Sequence, residues 1–126
     1  MRSQRQLRVG EEIRHVLAAV LMRGDVPWPK GFEAPPSISV TEVQVSPDLT
    51  NATAFIMPLG GKKLEETVKV MNDQVGFYRH EIAREVKLRY VPKLNFKADN
   101  SFIYAHRIDT ILHDPVVAKD LEGRDE

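Results

Sequence analysis

The sequence predicts a two-layer α+β fold, and three observations predict it. Apolar residues recur at three- and four-residue spacing over 4–23 and again from 64 to 86, as helix faces require. Alternating runs of β-forming residues occupy 37–57 and 93–98. Two helical stretches lie between the second strand and the third, which makes that connection a crossover and places helices on a sheet face. The expected order is helix, strand, strand, helix, short break, helix, strand, short helix.

The chain has 126 residues, of which 42% are hydrophobic, enough for one core and too few for two. The expectation is one domain over 1–113 and a frayed acidic tail over 114–126. With no cysteine, disulfides, thiolate metal sites and thiol nucleophiles are excluded. The longest apolar run, Val16 to Met22, is far short of a membrane span and no leader pattern precedes it, so a soluble, cytoplasmic monomer is expected.

In the first element, Val9, Ile13, Val16, Leu17, Val20 and Leu21 form one face of a helix from Gln4 to Arg23, with Arg5, Arg8, Glu12 and His15 on its polar side and Gly24 at its end. Gly10, inside it, costs about 1 kcal/mol of helicity relative to alanine, so packing must hold this helix. Residues 24–36 carry four prolines and two glycines and form a loop. Trp28 and Phe32 read as its anchors, the alternative being an exposed aromatic for base stacking.

Ile38, Val40, Val43 and Val45 make a strand whose alternation breaks between Val40 and Val43, the mark of a bulge. Ser46 to Asn51 is turn chemistry, and Ala52 to Met57 returns as the antiparallel partner. Gly60 and Gly61 precede a helix with Leu64, Val68 and Met71 on its core face. Their amides beside Lys62 and Lys63 offer a place for a phosphate, although helix initiation is the simpler reading.

In the next helix Val75, Tyr78, Ile82 and Val86 face the core, with Pro92 as the stop. His80, Arg84 and Lys87, at i, i+4 and i+7, form an outward ridge near Phe77. Glu81 and Glu85 form a third ridge able to pair with Arg84 and Arg89. Lys93 to Ala98 is a strand with Leu94 and Phe96 on one side and Lys93, Asn95 and Lys97 on the other. Asp99 to Ser101 then turns the chain and caps a last helix carrying Phe102, Ile103, Ile108, Ile111 and Leu112.

Formal charge is zero overall, yet it is segregated: residues 1–23 carry five basic and two acidic side chains, 62–107 ten and six, and 108–126 two and six. Between Arg79 and Lys97 six basic residues face two acidic ones. Screening confines such fields to about 10 Å, so a basic face on a neutral protein still suits a nucleic-acid partner. The acidic tail is able to fold over that face and compete with a nucleic-acid partner.

Three of these stretches, RQLRVGEEIR from Arg5, VTEVQVSPDLTNATAFIMPLG from Val40 and GFYRHEIAREVKLRYVPKLNFKADNS from Gly76, are similar to the bacterial ribosome-binding factor A family. The resemblance runs from about Arg5 to Leu112. It implies a type II K-homology-like domain that binds the immature small ribosomal subunit, contacts its rRNA, assists late maturation and has no catalytic activity or cofactor. It brings other assembly factors, including a GTPase, into view as further partners. The family replaces the K-homology Gly-x-x-Gly loop with an Ala-x-Gly kink. Here that site is Gln74, Val75 and Gly76, the glycine kept and the alanine not. The Pro-rich loop from Asp25 to Pro36 is a second departure, longer than the family's usual connection.

Together these readings nominate Arg5, Arg8, Gly76, Arg79, His80, Arg84, Lys87, Arg89 and Lys93 as RNA-binding residues, with Arg79 and Arg89 near the buried face and open to a structural role instead. An enzyme is disfavoured. His15, His80, His106 and His113 lack metal-ligand spacing, Asp109 and His113 read as a helix-surface pair, and Ser46 and Asp48 belong to a turn. A protein-interaction module using the tail and the Pro-rich loop is the alternative.

Overall fold

The computed structural model describes residues 2–61 and 63–99. Within them the elements are α1 (Gln4–Arg23), β1 (Ile38–Val45), β2 (Asn51–Pro58), α2 (Leu64–Asp73), α3 (Val75–Glu85) and β3 (Lys93–Ala98). This is the expected α+β order. The last helix expected over 102–112, its turn at Asn100 and Ser101, and the tail at 114–126 lie outside the described residues.

α1 begins with a capping box: the Ser3 hydroxyl accepts the Gln6 N–H at 3.1 Å while Gln6 Oε1 accepts the Ser3 N–H at 2.8 Å. It ends at Gly24, which takes the left-handed conformation (φ 76°). Val9, Ile13, Leu17 and Val20 are buried, with Val16 and Leu21 half-buried against them. At Gly10 the helix comes so close to β1 that a Cβ would stand 2.6 Å from the Val43 carbonyl oxygen. Packing holds the helix across its glycine, and the glycine is what lets it pack.

β1 and β2 are antiparallel, and the register slips between Val40 and Glu42, leaving Thr41 as the bulge. Val40 and Val43 thereby both face the core. In the turn, Asp48 Oδ1 accepts from the Ser46 hydroxyl (2.7 Å), the Thr50 hydroxyl (2.7 Å) and the Thr50 N–H (3.1 Å), which holds its carboxyl below the usual range. β3 runs parallel to β2, giving the sheet order β1-β2-β3. The outer edge of β3 is met by Asn72 of α2, whose amide group accepts the Phe96 N–H (2.7 Å) and donates to the Phe96 carbonyl (3.0 Å).

The helices cover one face of the sheet, where Ala54, Ile56, Leu94 and Phe96 meet Ile13, Leu17, Met71, Tyr78 and Ile82 in the core. The Tyr78 and Phe96 rings meet edge to face at 5.0 Å, and burial pushes the Tyr78 hydroxyl well above its ordinary pKa. Thr67, also in this layer, is fully buried, and its hydroxyl has no hydrogen-bond partner among the described residues.

Three expectations about the α2–α3 region need correction. The break falls at Gln74 (φ −108°, ψ 17°), and Gly76 is already the second residue of α3 in a right-handed conformation. α3 ends at Glu85, well before Pro92, because Val86 turns to an extended conformation and is drawn into the core. Phe77 is half-buried at the core edge, not part of an outward ridge.

Candidate nucleic-acid interface

Ending α3 at Glu85 redistributes the basic residues. Lys87 leaves the helix and does not continue the ridge of His80 and Arg84. It lies across from α1, where Arg5, Arg8, Glu12 and His15 of that helix and Glu85, Val86, Lys87 and Leu88 line an open groove of 620 Å³. A second groove continues from Arg5 past Asp48, Leu49 and Thr50 of the hairpin turn to Leu88, Arg89 and Tyr90. Arg5 belongs to both. Four nominated cations, Arg5, Arg8, Lys87 and Arg89, thus converge from opposite ends of the described chain, with Glu12, Glu85 and Asp48 as the acidic side chains among them.

The remaining nominees fall elsewhere. Arg79 is a clamp: its Nε donates to the Pro92 carbonyl and an Nη to the Val91 carbonyl, each at 3.0 Å, tying α3 to the segment entering β3. Arg84 is exposed on α3 and paired at 3.5 Å with Glu81. That i, i+3 pair was expected, but the main partner of Glu81 was not. Glu81 is only 7% exposed and takes a 3.0 Å bond from Arg23 at the end of α1, so it ties two helices together. Arg89, being outside the helix, is not placed to pair with Glu85 at i, i+4, and its guanidinium instead lies 5.6 Å over the Tyr90 ring. His80 is exposed on α3, and Lys93 is exposed at the start of β3, beside Asn51 of β2.

Gly76 is exposed, and a Cβ built on it meets nothing within 4 Å. Gln74, the bulkier residue beside it, turns away: its Nε2 donates to the Pro27 carbonyl and its Oε1 accepts the Tyr78 hydroxyl at 3.2 Å. Two departures from the family's pattern, the kink residue and the Pro-rich loop, are therefore bonded to each other. Neither position carried a sequence signal for that contact. In the same loop Trp28 is half-buried, packs on Phe32 at 5.6 Å and reaches the core, so it serves as an anchor. Gly60 and Gly61 form a left-handed turn before α2, which starts only at Leu64 after an uncapped Lys63, so they do not present a helix N-terminus.

Among the described residues no group of three or more His, Asp or Glu side chains could hold a metal ion, and no helix is long and apolar enough to cross a membrane. Ser46 and Asp48 bond within their turn, as expected. His106, Asp109 and His113 lie outside the described residues.

Residues 5–112 match the family model described as ribosome-binding factor A. The chain is 49% identical over 120 residues to ribosome-binding factor A of Paramagnetospirillum magneticum, a match covering 95% of this chain and 83% of that protein. Its fold is similar to the crystal structure of ribosome-binding factor A from Thermus thermophilus, with a TM-score of 0.59 at 16% identity, covering 74% of this chain and 94% of the other. It is also similar to the solution NMR structure of a candidate ribosome binding factor A from Thermotoga maritima, with a TM-score of 0.63 at 26% identity, covering 78% and 90%.

Proposed function

The chain belongs to the ribosome-binding factor A family, and from that premise we propose that it is a non-enzymatic, cytoplasmic RNA-binding factor that engages the immature small ribosomal subunit and assists late maturation of its rRNA. The observation that carries this reading is the meeting of Arg5 and Arg8 with Lys87 and Arg89 along two grooves that share Arg5 and Leu88. Cations on a concave surface neutralise backbone phosphates, and shape supplies the recognition of a structured RNA. The open space over Gly76, with Gln74 folded away from it, leaves bare helix backbone in the first turn of α3 that a sugar-phosphate chain can approach closely. His80 and Arg84 extend the contact along α3, Lys93 extends it at the sheet end, and Arg79 supports it by holding the loop.

The test is co-sedimentation with purified small subunits across a salt series, comparing wild type with Arg5→Glu/Lys87→Glu. The expected result is binding that weakens with salt, and a roughly tenfold or greater loss in the variant, with a salt slope shallower by about 0.7–0.9 for each phosphate contact removed. Equal binding by the variant removes the grooves from the interface. Wild-type protein that ignores the particles at every salt concentration overturns the reading itself.

A further inference from the structure

We propose that Tyr90 is a stacking platform for an unpaired base, so that the basic grooves take a single-stranded RNA segment as well as a duplex backbone; the proposal rests on the RNA-binding reading above. Tyr90 is 73% exposed, and among the described residues it is the aromatic side chain left most open to solvent. Every other phenylalanine, tyrosine or tryptophan there is at least half-buried. Tyr78 and Phe96 are buried together, Phe77 packs on Tyr78, Trp28 and Phe32 hold each other, and Phe55 is half-buried in β2.

The segment that carries Tyr90 is irregular but held at both ends. Before it, the Val86 N–H donates to the Ile82 carbonyl at 2.8 Å and Val86 is buried. After it, Arg79 grips the Val91 and Pro92 carbonyls, Pro92 is fully buried, and the Lys93 N–H donates to the Thr50 carbonyl at 2.9 Å. Leu88 and Val91 pack against the core on either side. A ring carried on a pinned backbone leaves only its side-chain torsions to be fixed, so a ligand spends less conformational entropy than on a free loop. The Arg89 guanidinium over the ring adds a cation to one side of the stack, and the groove beside it brings in Arg5 and the hairpin turn. An aromatic face for the base and arginines for the flanking phosphates are what single-stranded RNA recognition needs. A base on Tyr90 places the adjoining phosphates toward Arg5 and Arg89.

Fluorescence anisotropy with a labelled oligouridylate, an oligoadenylate and a blunt RNA duplex of equal length tests this, using the full chain as wild type, Tyr90→Ala and Tyr90→Phe. Removing the ring is expected to weaken both single strands about 5- to 150-fold, the range that corresponds to 1–3 kcal/mol per stacked base. Tyr90→Phe keeps the ring and is expected to bind like wild type. Duplex binding and the salt slope stay unchanged, because no charge is lost. Circular dichroism of both variants should match wild type, as an exposed side chain is being changed. Single-strand binding by Tyr90→Ala equal to wild type, or an equal loss on the duplex, overturns the platform. Wild-type protein that binds the duplex but neither single strand also overturns it while leaving the RNA-binding reading intact; wild type that binds none of the three probes speaks against both.

Discussion

Gly10 and Gly76 both sit inside helices, and the two regions around them use a missing side chain in opposite ways. At Gly10 the absent Cβ is filled from within, because the β1 backbone comes up against α1 at a distance no side chain tolerates. At Gly76 the space is open: the backbone is right-handed, and beyond its own helix backbone and chain neighbours nothing stands within 4 Å of where a Cβ would be. The same residue type therefore marks a packed interior contact in one helix and an uncovered surface in the other. A glycine that the fold itself does not need is a better candidate for contact with something outside it.

The largest expected effect tests the packed side of that comparison. Gly10→Ala should destabilise the protein by about 2–3 kcal/mol in denaturant unfolding, the cost of overpacking against a backbone that cannot yield. It should do so although alanine is the better helix former. Unchanged stability would mean that α1 slides easily on β1.

Next comes the latch beside the open glycine. Gln74→Ala removes bonds to the Pro27 carbonyl and the Tyr78 hydroxyl, so a loss of about 1 kcal/mol and faster proteolysis within residues 25–36 are expected. Wild-type cleavage kinetics would show that the loop is held without Gln74, by buried Val26, by Trp28 and by the Lys63 bond to the Glu33 carbonyl.

Gly76→Ala should have the opposite sign from Gly10→Ala. Gaining helix propensity at a position with free space should raise stability by up to about 1 kcal/mol, while the same methyl covers the bare backbone and weakens small-subunit binding. Stability and binding moving together would show that the opening at Gly76 is not part of the interface.

The smallest effect belongs to the groove rim. Asp48 has its folded-state pKa lowered, first by the Ser46 hydroxyl and then by Thr50, so its stabilisation is present above about pH 4, the unfolded range, and is lost as pH falls through the folded value. Asp48→Asn should therefore flatten the acid side of the stability-pH curve slightly and leave the neutral side nearly parallel to wild type. An unchanged acid limb would mean the turn is held by backbone geometry.

How far the sequence carried depends on whether a signal was local. The α1 boundaries followed from apolar spacing ended by a glycine, and the bulge at Thr41 followed from the broken alternation between Val40 and Val43. The capping box of Ser3 and Gln6 is equally local, a Ser-x-x-Gln pattern just before the apolar periodicity. Reading α3 through to Pro92 failed because helix periodicity extends to Val86 and proline is the conspicuous breaker, whereas burial of Val86 in an extended conformation ends the helix first. That one difference moved Lys87 off the ridge of His80 and Arg84 and into a groove with Arg5.

The sequence by itself determined the element order, the core faces, the absence of thiol chemistry and the concentration of positive charge after Gly76, since each depends on neighbours within a few residues. Only the tertiary structure decided that Arg5 and Arg8 share a surface with Lys87 and Arg89, that Arg79 is a clamp, that Glu81 joins two helices, and that Gln74 bonds the Pro-rich loop. These contacts join residues far apart in the chain, and their partners are set by the packing of α1 and α3 over one sheet, which no local spacing encodes.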